Sequence, residues 1–221
     1  MSRFDAVLFD LDGTLCRRDQ DPGELFRAAF DTVGTAPFGS PAKLWTALDG
    51  PVDPDDEVGY LAAGFDRLAA EHDHAVDATA LARAFLAHVD NGAVSFLPGA
   101  EAALRVASQH GHVGLVTNGP ERRQSVKLDA LDLHGAFDVV VYAGDMPRRK
   151  PHPDPFDRAL DALDVVPAAS LYVGNSLEYD VAGAQGAGLS AAWCPDDGTT
   201  DPGDHRPDYT LETLHDLAGV L

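Results

Sequence analysis

In the opening stretch FDAVLFDLDGTLC, Phe4 to Cys16, an apolar run through Val7, Leu8 and Phe9 ends in two acids, Asp10 and Asp12. Gly13 and Thr14 follow directly. A carboxylate beside an apolar core is costly unless something partners it, so acids at the end of a buried strand need a reason. Two further apolar runs end in polar residues. Thr117, Asn118 and Gly119 close one, and Asn175 and Ser176 follow Gly174 at the end of another. Singly, each group has a plain structural reading, an Asp-Gly turn or the cap of a following helix. Together they place polar side chains at three strand ends, and in a parallel α/β sheet ligands bind beyond those ends.

The elements that must position these residues follow from hydrophobic periodicity. Phe4–Phe9 reads as a short buried strand. The stretch from about Pro22 to Asp90 contains no convincing strand and offers helices at Gly23–Val33, Pro41–Leu48, Asp55–His72 and Asp77–Val89. Several of these start with Pro or Asp, as capping chemistry predicts. Leu61, Phe65 and Leu68 share one helical face, as do Leu81, Phe85 and Val89. From Leu97 onward strand and helix alternate. Helices at Gly99–Gln109, Glu121–Leu131, Pro153–Leu163 and Glu178–Ala187 each precede a strand, at His112–Thr117, Phe137–Tyr142, Ser170–Gly174 and Leu189–Cys194. A small strand at Asp208–Leu211 and a helix at Glu212–Val220 close the chain, after a surface loop at Pro195–Pro207. This alternation argues for a parallel sheet covered on both faces, interrupted after its first strand by an all-helical insert.

The ordered stretches FDLDGTL, LVTNG, KPHPDPF and VGNSLEYDVAGAQGAGL resemble the four motifs of the haloacid dehalogenase-like hydrolase superfamily. The resemblance spans nearly the whole chain and includes a helical cap inserted after the first motif. It implies a doubly wound α/β core of strand order 5-4-1-2-3, built from residues 1–16 and 95–221, with a cap at 17–94. That order brings the strand ends carrying Asp10, Thr117 and Asn175 side by side. The cap would close over a substrate and exclude bulk water.

The resemblance also assigns chemistry. Asp10 matches the family nucleophile, which attacks phosphorus and forms an aspartyl-phosphate. Asp12 would protonate the leaving alcohol and later deprotonate the attacking water. Their spacing lets Leu11 point into the core while both acids face the site. Family dehalogenases lack an acid at the second position, so Asp12 favours phosphoryl transfer. Thr117 and the Asn118 amide would bind a phosphate oxygen. Lys150 is the third-motif candidate; it is one of three lysines among 221 residues, which weighs against an incidental surface placement. Its charge would neutralise the carboxylate and the transferring group.

The family implies Mg²⁺, held by Asp10, the Asp12 carbonyl and an acid of the fourth motif. This chain departs from the pattern there, because the usual Gly-Asp is Gly174-Asn175. Asn175 can ligate through its side-chain oxygen but brings no charge, and Asp180 matches the motif's second acid, acting directly or through water. Glu178 could compensate or serve as a helix-start charge. Arg148 and Arg149 could steer an anion, and His152 could line the site; for all three a surface role is the plainer reading. His72 and His74 are expected in solvent.

Composition sets the surroundings. There are 36 acidic and 16 basic residues, a formal net charge of −20, so nucleic acid and anionic membranes are poor partners. The 45% hydrophobic content and periodic segments argue for a folded chain rather than an acidic disordered one. Such acidity suits a salt-loving cytoplasm, where screening falls to about 3 Å at 1 M salt. Cys16 and Cys194 read as free thiols, and no stretch resembles a membrane span or a secretory signal. The expected function is a magnesium-dependent phosphatase acting on a small phosphorylated metabolite, as a monomer or small homo-oligomer. A phosphomutase and a non-catalytic binding protein of the same fold are the alternatives.

Overall fold

The computed structural model describes residues 4–48, 56–195 and 201–221. The chain divides into two compact units, Met1–Arg17 with Val94–Leu221, and Arg18–Ala93.

In the first unit, β1 (Ala6–Phe9), β4 (His112–Thr117), β5 (Val139–Tyr142), β6 (Ser170–Gly174), β7 (Ser190–Trp193) and β8 (Tyr209–Thr210) form one sheet. Its order is β5-β4-β1-β6-β7-β8, and every adjacent pair is parallel. Without β8 this is the expected order, and β8 extends it at the edge. Phe9 lies opposite Leu115 on one side and Val173 on the other, so β4 and β6 flank β1 with their carboxyl ends at one rim. Side chains of β1 alternate as a strand buried on both faces requires. Val7 and Phe9 join one apolar cluster with Leu115, Leu171 and Val173, while Ala6 and Leu8 join the other with Val116, Tyr172 and Trp193. Helices α5 (Ala100–His110), α6 (Glu121–Ala130) and α7 (Asp154–Leu163) connect the strands.

Two short strands escaped the sequence pattern, β2 (Cys16–Arg18) and β3 (Val94–Phe96), which pair in a separate two-stranded sheet. Three residues are too few to display a period. Two expected helices take other forms. The stretch expected as a helix at Glu178–Ala187 begins as a π-helix, Leu177–Ala182, and continues as the single turn α8 (Gly183–Gly186). The Ser176 carbonyl accepts from both Asp180 N and Val181 N, at 3.0 Å each, which widens that turn. The terminal helix is a 3₁₀-helix, Leu214–Gly219, started by a capping box between Thr213 and Asp216. Its buried residues, Leu214 and Leu217, are three apart, and a three-residue turn stacks such positions on one face.

The second unit contains α1 (Pro22–Val33), α2 (Pro41–Ala47), α3 (Glu57–Glu71) and α4 (Ala78–His88). Asp21, Ser40, Asp56 and Asp77 are their N-caps, and each side chain accepts the backbone N–H three residues on. Phe26, Phe30, Phe65, Leu68, Leu81 and Phe85 are buried in one cluster. His74 is exposed, as expected, and stacks on Phe38 at 4.6 Å between ring centroids. His72 corrects the expectation of solvent exposure: it is only partly exposed, and its buried Nε2 has no hydrogen-bond partner among the described residues. Asp55, in the expected third helix, and residues 196–200 of the expected Pro195–Pro207 loop lie outside the described residues. Among the described residues no helix is long and apolar enough to cross a membrane.

Candidate active site

At the rim of the sheet, β1 delivers Asp10 into a nearly closed environment, 7% exposed. Leu11 turns into the core and is fully buried, while the Asp12 side chain stays 46% exposed. The chain reverses at Gly13, whose φ of 78° is a conformation that glycine adopts without strain.

Lys150 reaches the same point from the loop after β5. Its ammonium donates to Asp10 Oδ1 at 2.8 Å, Asp180 Oδ1 at 2.7 Å and the Tyr172 hydroxyl at 2.7 Å. An ammonium has three donors, so all are used. The Tyr172 hydroxyl donates to the Val116 carbonyl at 2.8 Å, which leaves its oxygen as the acceptor that Lys150 needs. The Asn118 side chain clamps the backbone of this loop. Its Oδ1 accepts from Lys150 N at 2.9 Å and its Nδ2 donates to the Lys150 carbonyl at 3.0 Å. That side chain therefore positions the Lys150 backbone.

The electrostatics follow from burial. It pushes the Asp10 carboxyl up to about 7; the Lys150 ammonium pulls the other way, and the charges of Asp180 and Asp12 add to the rise. Burial would pull Lys150 down, but Asp10 and Asp180 outweigh it and hold its pKa above the ordinary lysine value. Burial and the same two carboxylates drive the Tyr172 phenol well above its usual range, so it stays protonated. Two buried carboxylates face one ammonium. If both ionise, a surplus negative charge remains in a poorly solvated place.

That surplus, with oxygen donors around it, is what a hard cation would answer. Among the described residues, no three His, Cys, Asp or Glu side chains are grouped to hold a metal. Asn175, at the position where the motif resemblance expects an acid, has its side-chain oxygen 3.5 Å from the Thr14 hydroxyl. Both Asp180 oxygens are engaged, Oδ1 by Lys150 and Oδ2 by Ser176 N at 2.9 Å. Asp10, Asn175 and the Asp12 carbonyl supply oxygen donors of the kind a hard cation takes, while both Asp180 oxygens already accept hydrogen bonds.

The structure brings Asp10, Lys150 and Asp180 into direct contact and links Asp12 to Thr117 through a residue that the sequence analysis passed over. Gln124 Nε2 donates to Asp12 Oδ2 at 2.8 Å and to Thr117 Oγ1 at 2.6 Å. Lys127 was also missed. Its ammonium meets Asp12 Oδ1 and Oδ2 at 2.5 and 2.7 Å, and the residue is 2% exposed. A signal was present: Lys127 is one of only three lysines, and the scarcity that singles out Lys150 applies equally to it. The lesser candidates make other contacts or face solvent. Glu178 is exposed, and Arg148 bonds Asp154 at 2.8 Å and His152 at 2.9 Å.

Comparisons with known proteins point the same way. A family model described as haloacid dehalogenase-like hydrolase matches residues 4–188. Phosphoglycolate phosphatase of Cereibacter sphaeroides is 32% identical over 222 residues, covering 96% of this chain and 94% of that protein. Pyrophosphatase PpaX of Bacillus mycoides is 34% identical over 112 residues, covering 49% of this chain and about half, 51%, of that protein. A crystal structure of a predicted phosphoglycolate phosphatase from Haemophilus somnus shares the fold over 100% of this chain and 99% of that one. Its TM-score is 0.77 at 22% identity.

Proposed function

The chain belongs to the haloacid dehalogenase-like hydrolases, and from that premise we propose that it is a magnesium-dependent phosphatase of a small phosphorylated metabolite, working through an aspartyl-phosphate. The observation that carries this reading is the ammonium of Lys150 bridging Asp10 and Asp180, with a second acid, Asp12, two residues from the first.

In the proposed reaction an Asp10 carboxylate oxygen bonds to phosphorus as the P–O bond of the ester breaks. Asp12 gives its proton to the departing alkoxide, so the product leaves as a neutral alcohol. The resulting Asp12 carboxylate then takes a proton from water as that water attacks phosphorus. The acyl-phosphate bond breaks, and Asp10 and inorganic phosphate are restored. Lys150 favours the ionised form of Asp10 against its burial and meets the negative charge of the transferring group, and the Thr117 hydroxyl and Asn118 amide hold its oxygens. Asp10, the Asp12 carbonyl and Asn175 would hold the magnesium ion, with Asp180 bonded through water. When bound, the ion would supply positive charge that stabilises the ionised nucleophile and the phosphoryl oxygens.

We assign the helical unit the role of the family's cap. The acidic composition leads us to infer a salt-rich cytoplasm as the working medium. The test is a panel of phosphorylated metabolites assayed for phosphate release at molar salt with magnesium. Phosphoglycolate is the first member, because a relative aligned over nearly its full length is named for it. Release from at least one member is expected, and an inert panel would overturn the reading.

A further inference from the structure

Helix α6 buries Gln124, Lys127 and Leu128. These positions, i, i+3 and i+4, form the inward face that a helix normally fills with apolar side chains. A buried amide and a buried ammonium are costly unless partnered. Here both side chains reach Asp12, 112 and 115 residues away in sequence. The surrounding composition sharpens the point. Of three lysines, Lys43 is exposed, Lys150 holds Asp10, and Lys127 holds Asp12.

The hydrogen-bond roles are determined by chemistry. An ionised carboxylate can only accept, so Gln124 must present its amide nitrogen to Asp12. The same nitrogen donates to Thr117 Oγ1, which also accepts the Gly119 N–H at 3.3 Å. A hydroxyl has two lone pairs and one proton. Both lone pairs are taken, and among the described residues nothing accepts the proton. Thr117 is left as a donor only, 2% exposed, at the strand end beside Asp10. Only an added acceptor, such as a phosphoryl oxygen, would satisfy it.

We infer that Gln124 and Lys127 are positioning residues, Lys127 holding the Asp12 carboxylate in place and Gln124 coupling it to a Thr117 hydroxyl committed to donating. The inference rests on the phosphatase reading above, in which Asp12 and Thr117 touch substrate. On this account α6 sets the aim of the acid–base group, and the exposed Asp12 loop does not do so by itself. Asp12 can turn towards a substrate because nearly half of its side chain is exposed, whereas Lys127 is enclosed and cannot follow.

The test compares wild type with Lys127→Met, Gln124→Met, Asp12→Ala and the double variant Asp12→Ala/Lys127→Met. Each is assayed on the best alkyl phosphate of the panel and on p-nitrophenyl phosphate, whose leaving group needs little protonation. Losing a hydrogen bond to a charged group should lower kcat of Lys127→Met on the alkyl phosphate about 10- to 100-fold. On p-nitrophenyl phosphate the loss should be several-fold smaller, and the double variant should be no slower than Asp12→Ala alone. Gln124→Met should show the same leaving-group bias and also raise KM for both substrates, because Thr117 is no longer aligned. Equal losses on the two substrates, or multiplying losses in the double variant, would show a merely structural role and overturn the inference. If Lys127→Met does not fold, the leaving-group bias of Gln124→Met decides alone. A wild type inert towards every phosphoester would sink the phosphatase reading and the inference with it. An active wild type with unbiased variants sinks the inference only.

Discussion

Asp10 sits where an ionised carboxylate is least comfortable, enclosed and paired with a lysine that it shares with Asp180. Asp10→Asn keeps the size and the enclosure but removes the nucleophile. It should fold normally by circular dichroism and abolish phosphate release; near-normal turnover would exclude the covalent mechanism. Asp12→Ala should cost far more on a poorly acidic alcohol than on p-nitrophenol, since only the former needs a proton to leave. Asn175 is the position where this chain departs from the motif it resembles. An added carboxylate there should strengthen a largely electrostatic attraction to a hard cation. Asn175→Asp is expected to tighten magnesium binding by on the order of tenfold, about 1.4 kcal/mol. Calorimetric titration of the metal, independent of turnover, checks this. An unchanged isotherm would mean that Asn175 serves Thr14 and the loop and is not a ligand.

At the scale of elements, the end of β6 and the π-helix after it act as one device. A Cβ on Gly174 would collide with the Asp180 side chain, so glycine there lets Asp180 fold back across the strand end. From that place Asp180 accepts Ser176 N and Lys150 together. Gly174→Ala should displace Asp180 and loosen Lys150 while leaving the sheet intact. Overpacking of this kind costs about 1–3 kcal/mol. A lower denaturant midpoint with an unchanged slope, together with a loss of turnover, is the expected result. Full stability would show that Asp180 can retreat without penalty. The loop before α6 is equally tight, because a Cβ on Gly144 would strike the backbone of Gly119 and Pro120 behind Thr117.

For the molecule as a whole, 36 acidic residues against 16 basic ones dominate the long-range field. In dilute buffer the screening length grows to about 30 Å at 0.01 M, and repulsion then reaches across the protein. The melting temperature should rise by several degrees between dilute buffer and molar potassium chloride. A flat or falling series would reject the high-salt inference without touching the catalytic one. The ion-pair centre at Lys150, with Asp10 and Asp180, is enclosed and should respond to salt much less than the surface does.

The sequence by itself determined the order of strands and helices from His112 onward, because that order is written in local periodicity. It also singled out Asp10, Asp12, Thr117, Asn118 and Asn175 as polar residues at strand ends, and Lys150 and Asp180 through the motifs they resemble. It did not show β2, β3, the π-turn or the terminal 3₁₀-helix, since each is too short or too dependent on a partner to mark the chain with a period. Nor did it show that Asn118 would spend its side chain on the Lys150 backbone, or that Gln124 and Lys127 would meet Asp12. Those contacts join residues 32, 112 and 115 positions apart. Tertiary structure alone decides them, because a buried polar group must find its partner wherever packing brings one, and no local pattern records where that is.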